Sequence, residues 1–598
     1  MKLHSHQSLR LKSNSAPLTN ALLGLCLRLC LRLCFCFCFC FCFCFCFYPL
    51  KACAAGVASE LKAAPVQPVR EIALINGKIT QPDYSFAQAI LVKDNLISAV
   101  GTDQEIRSKA SKDAKIIDLR GATVIPGLID SHIHAVRAGL TFDSEVNWIG
   151  VKTLPLALSV IKSKALSTPK SQWIIVAGGW TETQFKEQRK PTQAEIDRVA
   201  GGHPVYIQHF YDSILLSTTA IQALLIGTHS NSEKTRELLS RLSPEDLQTL
   251  DTGWLTGSSR AISDVYNLLP RPARIKERQG TLHFFKELNS LGITGVMDPG
   301  GYNLPLSAYD TIGELDTKHQ LTLRVRYSIC APQKDAELED FKSILTSQLK
   351  KSESGFYNFN GLGENVVWSM YNNEHPTDND KEQLRKTLLW AAQQGLNVTL
   401  HWNNNDSFHH LLEVLESVQQ EQPITQLRWS VAHVSDVTPQ NLTRMQALGV
   451  GWHVQNNFYY QGETFIQKRG LNASSSIPRI QTAFQLGVRV SAGTDAHRVM
   501  SYNPFAALEW FLDGRTVAGL QMGSAQERPS REEALAMYTT HSAFESFEEN
   551  TRGQLAKGYL ADLVVLDKDY FTVPIDQIGA LRSKLTLVDG LVVYDRLK

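Results

Sequence analysis

The chain has 598 residues, 43% of them hydrophobic and 20% charged, and its 60 Lys and Arg against 59 Asp and Glu leave a formal charge of +1. That balance excludes wholesale disorder and a polyelectrolyte tail protein, and the length allows one large barrel with additions or up to four smaller units. Ten of the eleven cysteines lie before residue 54 and only Cys330 remains in the body, so stability must come from core burial rather than from internal disulfides.

Residues 1–54 read as an export signal with low complexity. Lys2, Arg10 and Lys12 form a basic start, and an apolar segment begins at Ala21, is interrupted by Arg28 and Arg32, then runs unbroken from Leu33 to Leu50. Ala52-Cys53-Ala54 offers a small-residue cleavage site, which predicts a periplasmic or secreted mature chain; lipidation of Cys53 and a retained anchor are the alternatives. The alternating Phe-Cys run from Cys34 to Phe47 has the period of a strand but no polar face. It is better explained by repeat expansion, or by a start codon placed too early, than by a disulfide framework. Removing 1–54 takes away six positive charges and no acids, moving the charge from +1 to −5, which argues against a nucleic-acid partner. No later stretch approaches 18 consecutive apolar residues, so no stable membrane span is expected in the mature chain.

From residue 70 to 125, short alternating apolar runs split by Asn76-Gly77 and Gly101 predict hairpins in a small sheet. Leu560 to Leu566 and Leu585 to Tyr594, the latter turning at Asp589-Gly590, repeat the pattern at the other end. The economical arrangement is one composite β-sandwich from residues 68–122 and 553–598. Between them, residues 123–552 hold eight buried-strand candidates followed by helical patterns: Ala122 to Asp130, Ile293 to Asp298, Leu323 to Ser328, Asn365 to Met370, Asn397 to His401, Arg428 to His433, Val450 to Val454 and Val488 to Ser491. Eight such units are the count of an α/β protein of the (β/α)8 TIM-barrel type, with its active site at the C-terminal ends of the strands. An insertion at 140–290, with strand-like Trp173 to Ala177 and Val205 to Gln208, is placed over the barrel mouth.

Polar residues fall where that arrangement puts chemistry. Because side chains alternate faces along a strand, His132 and His134 after strand one both point inward and can share one metal. His401 ends strand five, His433 ends strand six, and Asp495 follows strand eight. A lone His-x-His is common, but four histidines and an aspartate at the ends of four strands make a divalent-metal site. Neutral imidazoles suit zinc, and the carboxylate can serve as ligand and base. His409, His410, His453 and His497 lack such placement and read as solvated or structural.

These residues carry a resemblance. Val124-Ile-Pro-Gly-Leu-Ile-Asp-Ser-His-Ile-His134, Trp173-Ile-Ile-Val-Ala-Gly-Gly-Trp180 with Pro191-Thr192, Ala492-Gly-Thr-Asp495, Ser501-Tyr-Asn-Pro504, Arg531-Glu-Glu-Ala-Leu535 and Gly558 to Leu566 are similar to motifs of the amidohydrolase superfamily, in its amidohydrolase-3 group of metal-dependent hydrolases. The similarity spans about residues 70–598. It implies His132, His134 and His401 as ligands, His433 as a ligand of a second metal or a substrate polariser, and Asp495 as the residue that holds the metal's water and takes its proton. The sequence departs from the pattern on strand four, read as Val366 to Met370, where many relatives carry a bridging carboxylated lysine. Without a bridging anion two adjacent cations would repel, so one ion is expected in preference to two. Glu364 and Glu374 could substitute, but read more simply as loop acids. Asp212 stands near where relatives often place a histidine.

For the substrate, Arg498 could hold a carboxylate at the barrel mouth, and Trp180 and Tyr302 could wall a pocket. The expected activity is hydrolysis of a small-molecule, non-peptide carbon–nitrogen bond, in a linear or cyclic amide or amidine, by metal-activated water, with Asp495 and His433 catalytic. The alternatives are an esterase or phosphotriesterase-like hydrolase at a similar centre and, from another class, a periplasmic solute-binding protein. A homo-oligomer is compatible with all of this.

Overall fold

The computed structural model describes residues 71–170, 172–225, 250–257, 259–301, 304–347 and 354–597. The expected leader, 1–54, and Tyr302 lie outside the described residues.

Eight parallel strands organise the middle of the chain: β1 (Leu128–Asp130), β2 (Ile293–Asp298), β3 (Arg324–Ile329), β4 (Tyr357–Leu362), β5 (Thr399–Trp402), β6 (Ser430–His433), β7 (Gly451–Gln455) and β8 (Val490–Gly493). They form two four-stranded sheets, ordered β4-β3-β2-β1 and β5-β6-β7-β8, in place of the single closed ladder expected. Backbone contacts join the sheets at both seams. Leu362 bridges to Val398 on one side. On the other, Ser131 N donates to Ala492 O at 3.1 Å and Asp495 N to His132 O at 2.7 Å.

Helices connect the strands, and their sequences explain them. Asn405–Glu421, between β5 and β6, is capped by the Asn404 side chain on Asp406 N, and it buries Phe408, Leu411, Leu412, Leu415 and Val418 at helical spacing. These side chains join one large apolar cluster with strand residues such as Val325, Val431, Val454 and Val490.

Two departures from the sequence reading matter for the site. The run from Ala122 to Asp130 is divided at Pro126-Gly127: Thr123–Pro126 pairs with Leu563–Leu566 in a six-stranded sheet, and only Leu128–Asp130 enters β1. Proline ends the ladder because it has no N–H to donate, and a Cβ at Gly127 would collide with Thr294. The fourth strand is Tyr357–Leu362, not Asn365 to Met370. Its sequence, Tyr-Asn-Phe-Asn-Gly-Leu, has no apolar run. Val366, Val367 and Met370 are buried, but in a bend, irregular chain and a turn beyond the strand.

The six-stranded sheet joins both chain ends, and a four-stranded sheet is built from 71–118. Ile72, Leu74, Ile90 and Val92 from one and Val124, Leu563, Val565 and Leu585 from the other share one apolar cluster. Asn76-Gly77 does not close a hairpin. Glu71–Ile75 pairs with Ala89–Lys93, whereas Lys78–Thr80 pairs with Phe86–Ala87, so the chain changes sheets at that turn. Asp589 and Gly590, both at positive φ, do close the last hairpin.

Within the insertion, five strands, including Ile174–Val176 and Val205–His209, form a separate sheet. The helix Arg274–Ser290 precedes β2 and packs on Ala135–Thr141, so the insertion ends before it.

Candidate metal centre

The C-terminal ends of five strands deliver six side chains to one buried cluster. His132 and His134 follow β1, Glu364 follows β4, His401 lies in β5, His433 ends β6 and Asp495 follows β8. Glu364 sits at the middle: its Oε2 is 3.5 Å from His132 Nε2, 3.2 Å from His401 Nδ1 and 3.6 Å from His433 Nε2, and its Oε1 is 3.6 Å from His134 Nε2. Asp495 Oδ1 faces His134 Nε2 at 3.1 Å and His132 Nε2 at 3.6 Å.

Three overlapping ligand sets result: His132, His134 and Glu364; His132, His433 and Asp495; and Glu364, His401 and His433. Two backbone features hold them. His433 and Asp495 adopt left-handed φ values of 71° and 49°, turning each side chain off its strand end. Gly493 lets β8 approach β1 closely; a Cβ there would stand 2.7 Å from that of His132.

A cation fits this cluster better than the cluster fits itself. Both ring nitrogens of His132 are buried without a hydrogen-bond partner among the described residues. His134 Nδ1 donates to Gly300 O at 2.7 Å, which leaves Nε2 as a bare acceptor facing two carboxylates. His401 is held in the opposite sense. Its Nε2 donates to Asn372 Oδ1 at 2.8 Å, so its bare Nδ1 faces Glu364. Acceptors facing acceptors at such distances require a proton or a metal between them, and this mixed nitrogen and oxygen set suits zinc and its neighbours.

Burial pushes the His132 pKa down to about 4, and burial with the neighbouring His433 lowers that of His401, so both imidazoles are in the neutral, ligating form at pH 7. For Glu364 and Asp495 burial acts upward, but the imidazoles that face them, those of His401 and His433 for the first and of His132 and His134 for the second, hold both carboxyls well below their usual range.

Two further carboxylates brace the ligands. Asp130 accepts from His132 N at 3.1 Å and from Thr494 Oγ1 at 2.6 Å, and burial raises its pKa to about 7. Asp298, at the end of β2, accepts from Val136 N and Gly300 N, and burial raises its pKa to about 6. Asp298 was detectable: it ends its strand as His433 does.

From sequence Glu364 reads as a loop acid; in the structure it lies inside the cluster. With the fourth strand read as Asn365 to Met370, Glu364 fell before a strand, at the wrong end; with β4 ending at Leu362, it falls just after one. Glu364 is an anion placed between the histidine pairs, so the repulsion that favours a single ion no longer applies. Glu374 instead accepts from Asn404 Nδ2 on the cavity wall.

The cluster opens into a cavity of about 880 Å³, whose wall includes Phe210, Tyr211 and Asp212 from the insertion. Two proposed substrate residues are not on that wall. Arg498 lies over the Tyr266 ring, 3.6 Å from its centroid, and lines a smaller pocket. Trp180 is fully buried against Trp148 and Phe185 and donates from Nε1 to Gln208 O. Their motifs have a structural role: Gly179 N donates to Arg498 O at 3.0 Å, and a Cβ at Gly178 would strike that same backbone. His497 bonds Glu145 at 2.6 Å, and His453 is buried; neither touches the cluster. His409 and His410 lie on the helix Asn405–Glu421 away from the cavity wall.

Comparison with known proteins agrees with this geometry. Residues 115–594 match the model of the amidohydrolase family. The N-substituted formamide deformylase of Arthrobacter pascens is 27% identical over 88% of this chain and 99% of its own. An uncharacterized metal-dependent hydrolase of Pyrococcus furiosus superposes with a TM-score of 0.59 at 20% identity, over 84% of this chain and all of its own. The atrazine chlorohydrolase of Arthrobacter aurescens, solved with zinc, does so at 0.50 and 15% identity, over 88% of this chain and 95% of its own. With a family match over most of its length and histidines and carboxylates gathered at its strand ends, this chain belongs to the amidohydrolase family and is a hydrolase of carbon–nitrogen bonds.

Proposed function

We propose that the protein is an exported hydrolase of linear amides that works with two divalent ions, zinc first among the candidates, at the strand ends of a (β/α)8 barrel. The observation that carries this reading is the Glu364 carboxylate, which lies between the His132/His134 pair and the His401/His433 pair. His132, His134 and Asp495 would hold one ion and His401 and His433 the other, with Glu364 shared. The negative charge of Glu364 offsets the repulsion that two neighbouring cations would otherwise suffer. The bound metal polarises the amide carbonyl and lowers the pKa of water towards ~7.

The chain's own groups supply the rest. Asp495 presents Oδ1 to the two histidines, and Oδ2 makes no hydrogen bond among the described residues. That free oxygen takes the proton of the attacking water and delivers it to the nitrogen as the carbon–nitrogen bond breaks, so an acid and a neutral amine leave. Asp130 and Asp298, through the backbone around His132 and His134, fix the ligands in place. Linear amides are favoured because the formamide deformylase aligns along nearly its whole length. Export rests on the basic and then apolar leader ahead of Ala52-Cys53-Ala54.

The test is hydrolysis of an N-substituted formamide by zinc-loaded protein, following formate and amine together. Turnover that chelation abolishes and zinc restores is expected. No turnover of formamides, longer N-acyl amines or N-acyl amino acids by fully loaded protein would reject the reading.

A further inference from the structure

One turn beyond His134, the helix Ala135–Thr141 carries Arg137 along the wall of the metal-site cavity. Its Nε is buried without a hydrogen-bond partner, and the guanidinium makes no ion pair among the described residues. The other charged side chains of that wall outside the cluster are accounted for. Asp212 faces His209 at 3.2 Å, Glu374 takes a hydrogen bond from Asn404, Asp436 takes one from Asn405 N, and Arg469 pairs with Asp406 at 2.9 Å. Lys468, which has no such partner, is exposed to water and needs none. Among the described residues Arg137 alone on this wall is a half-buried cation with no anion hydrogen-bonded to it: the buried Asp298 carboxylate feels its charge, but its oxygens are taken by Val136 N and Gly300 N, so the guanidinium fork is left open to a ligand.

We propose that Arg137 is the specificity residue of this site and that it receives a carboxylate carried by the amide substrate. The preferred substrates are then anionic amides, such as N-acyl amino acids, rather than simple N-alkyl amides. The planar guanidinium fork matches a carboxylate with two parallel hydrogen bonds, and a cavity wall that excludes part of the water strengthens them. Arg498, the arginine suggested by sequence, is directed at Tyr266 instead and cannot serve.

This inference rests on the amide-hydrolase reading, and the experiment separates the two. Zinc-loaded protein is given matched pairs, N-formylphenylalanine against N-formylphenethylamine and its homologues. The parent should prefer the carboxylate-bearing member by about 10- to 100-fold in kcat/KM. Arg137→Gln should bring that ratio close to one, and Arg137→Lys, which keeps the charge but not the fork, should retain part of it. A parent that hydrolyses both members equally, or a ratio unchanged in Arg137→Gln while both rates fall, overturns the role of Arg137 and leaves amide hydrolysis standing. If neither member is hydrolysed, calorimetry with N-formylphenylalanine decides: weaker binding by Arg137→Gln, about 10-fold or more, supports the anion site, and equal or absent binding in both proteins rejects it.

Discussion

At the start of β3, Arg324 donates from Nε to Asp562 and from Nη2 to Asp589, while Arg552 donates to the same Asp562 at 2.8 Å and to Glu548 at 2.9 Å. At the opposite ends of the parallel strands, His132, His134, Glu364, His433 and Asp495 are buried and His401 is partly buried, yet acceptor faces acceptor and the His132 ring has no hydrogen-bond partner among the described residues. Both regions place several charged groups in the interior, where an uncompensated charge is costly. In the first, every cation already has its anion, so the network is a structural joint between the parallel strands and the C-terminal segment. In the second, compensation is incomplete until something positive enters. Between these two regions, paired charges mark the structural joint, and carboxylates facing bare imidazole nitrogens mark the site.

If that distinction holds, variants at the two ends fail differently. The largest effect is expected for His132→Ala, which should lose both bound metal and activity, measured by elemental analysis and turnover, while its metal-free melting temperature stays that of the metal-free parent. Asp495→Asn should cost about 10²- to 10⁴-fold in kcat, in the range of losing a general acid–base, with metal content close to the parent's. Near-normal kcat would mean that Asp495 only shapes the turn after β8.

At the scaffold end, Asp562→Asn should cost about 3–5 kcal/mol in denaturant unfolding, because two buried arginines lose their shared anion. The pH dependence follows. Burial acts to raise the Asp562 pKa, but the charges of Arg324 and Arg552 overcome it and hold the carboxyl below the ordinary aspartate value. Its contribution to stability is therefore full above the unfolded pKa of about 3.9 and is lost as the pH falls through the lower, folded value. An acid titration of stability should be shallower in Asp562→Asn than in the parent. The mildest effect belongs to Asp130→Asn, about 10- to 100-fold in metal affinity or activity, since Asp130 reaches the site only through His132 N and Thr494.

The histidines were legible in the sequence because each follows a short apolar run, and period-two alternation states which way it points. Seven of the eight strands were legible for the same reason. Glu364 was not, because β4 has two asparagines and a glycine where apolar residues would announce it, and the buried Val366-Val367 nearby imitates a strand while lying in irregular chain. Arg137 and Arg498 show a second limit. Both stand three residues beyond a site residue and both line the smaller pocket, and only the path of the backbone decides that Arg137 also reaches the metal-site cavity while Arg498 lies over Tyr266 of the insertion. Gly178 and Gly179 belong to a motif whose purpose, close approach to the loop after β8, no spacing rule contains.

The most direct test of a shared Glu364 is the number of metal ions bound by the parent and by Glu364→Gln, each loaded with zinc and freed of excess before elemental analysis. Two ions per chain in the parent, falling to one or fewer when the carboxylate becomes an amide of the same shape, is the result expected of two ions held across Glu364. One ion in the parent, unchanged in Glu364→Gln, would contradict it.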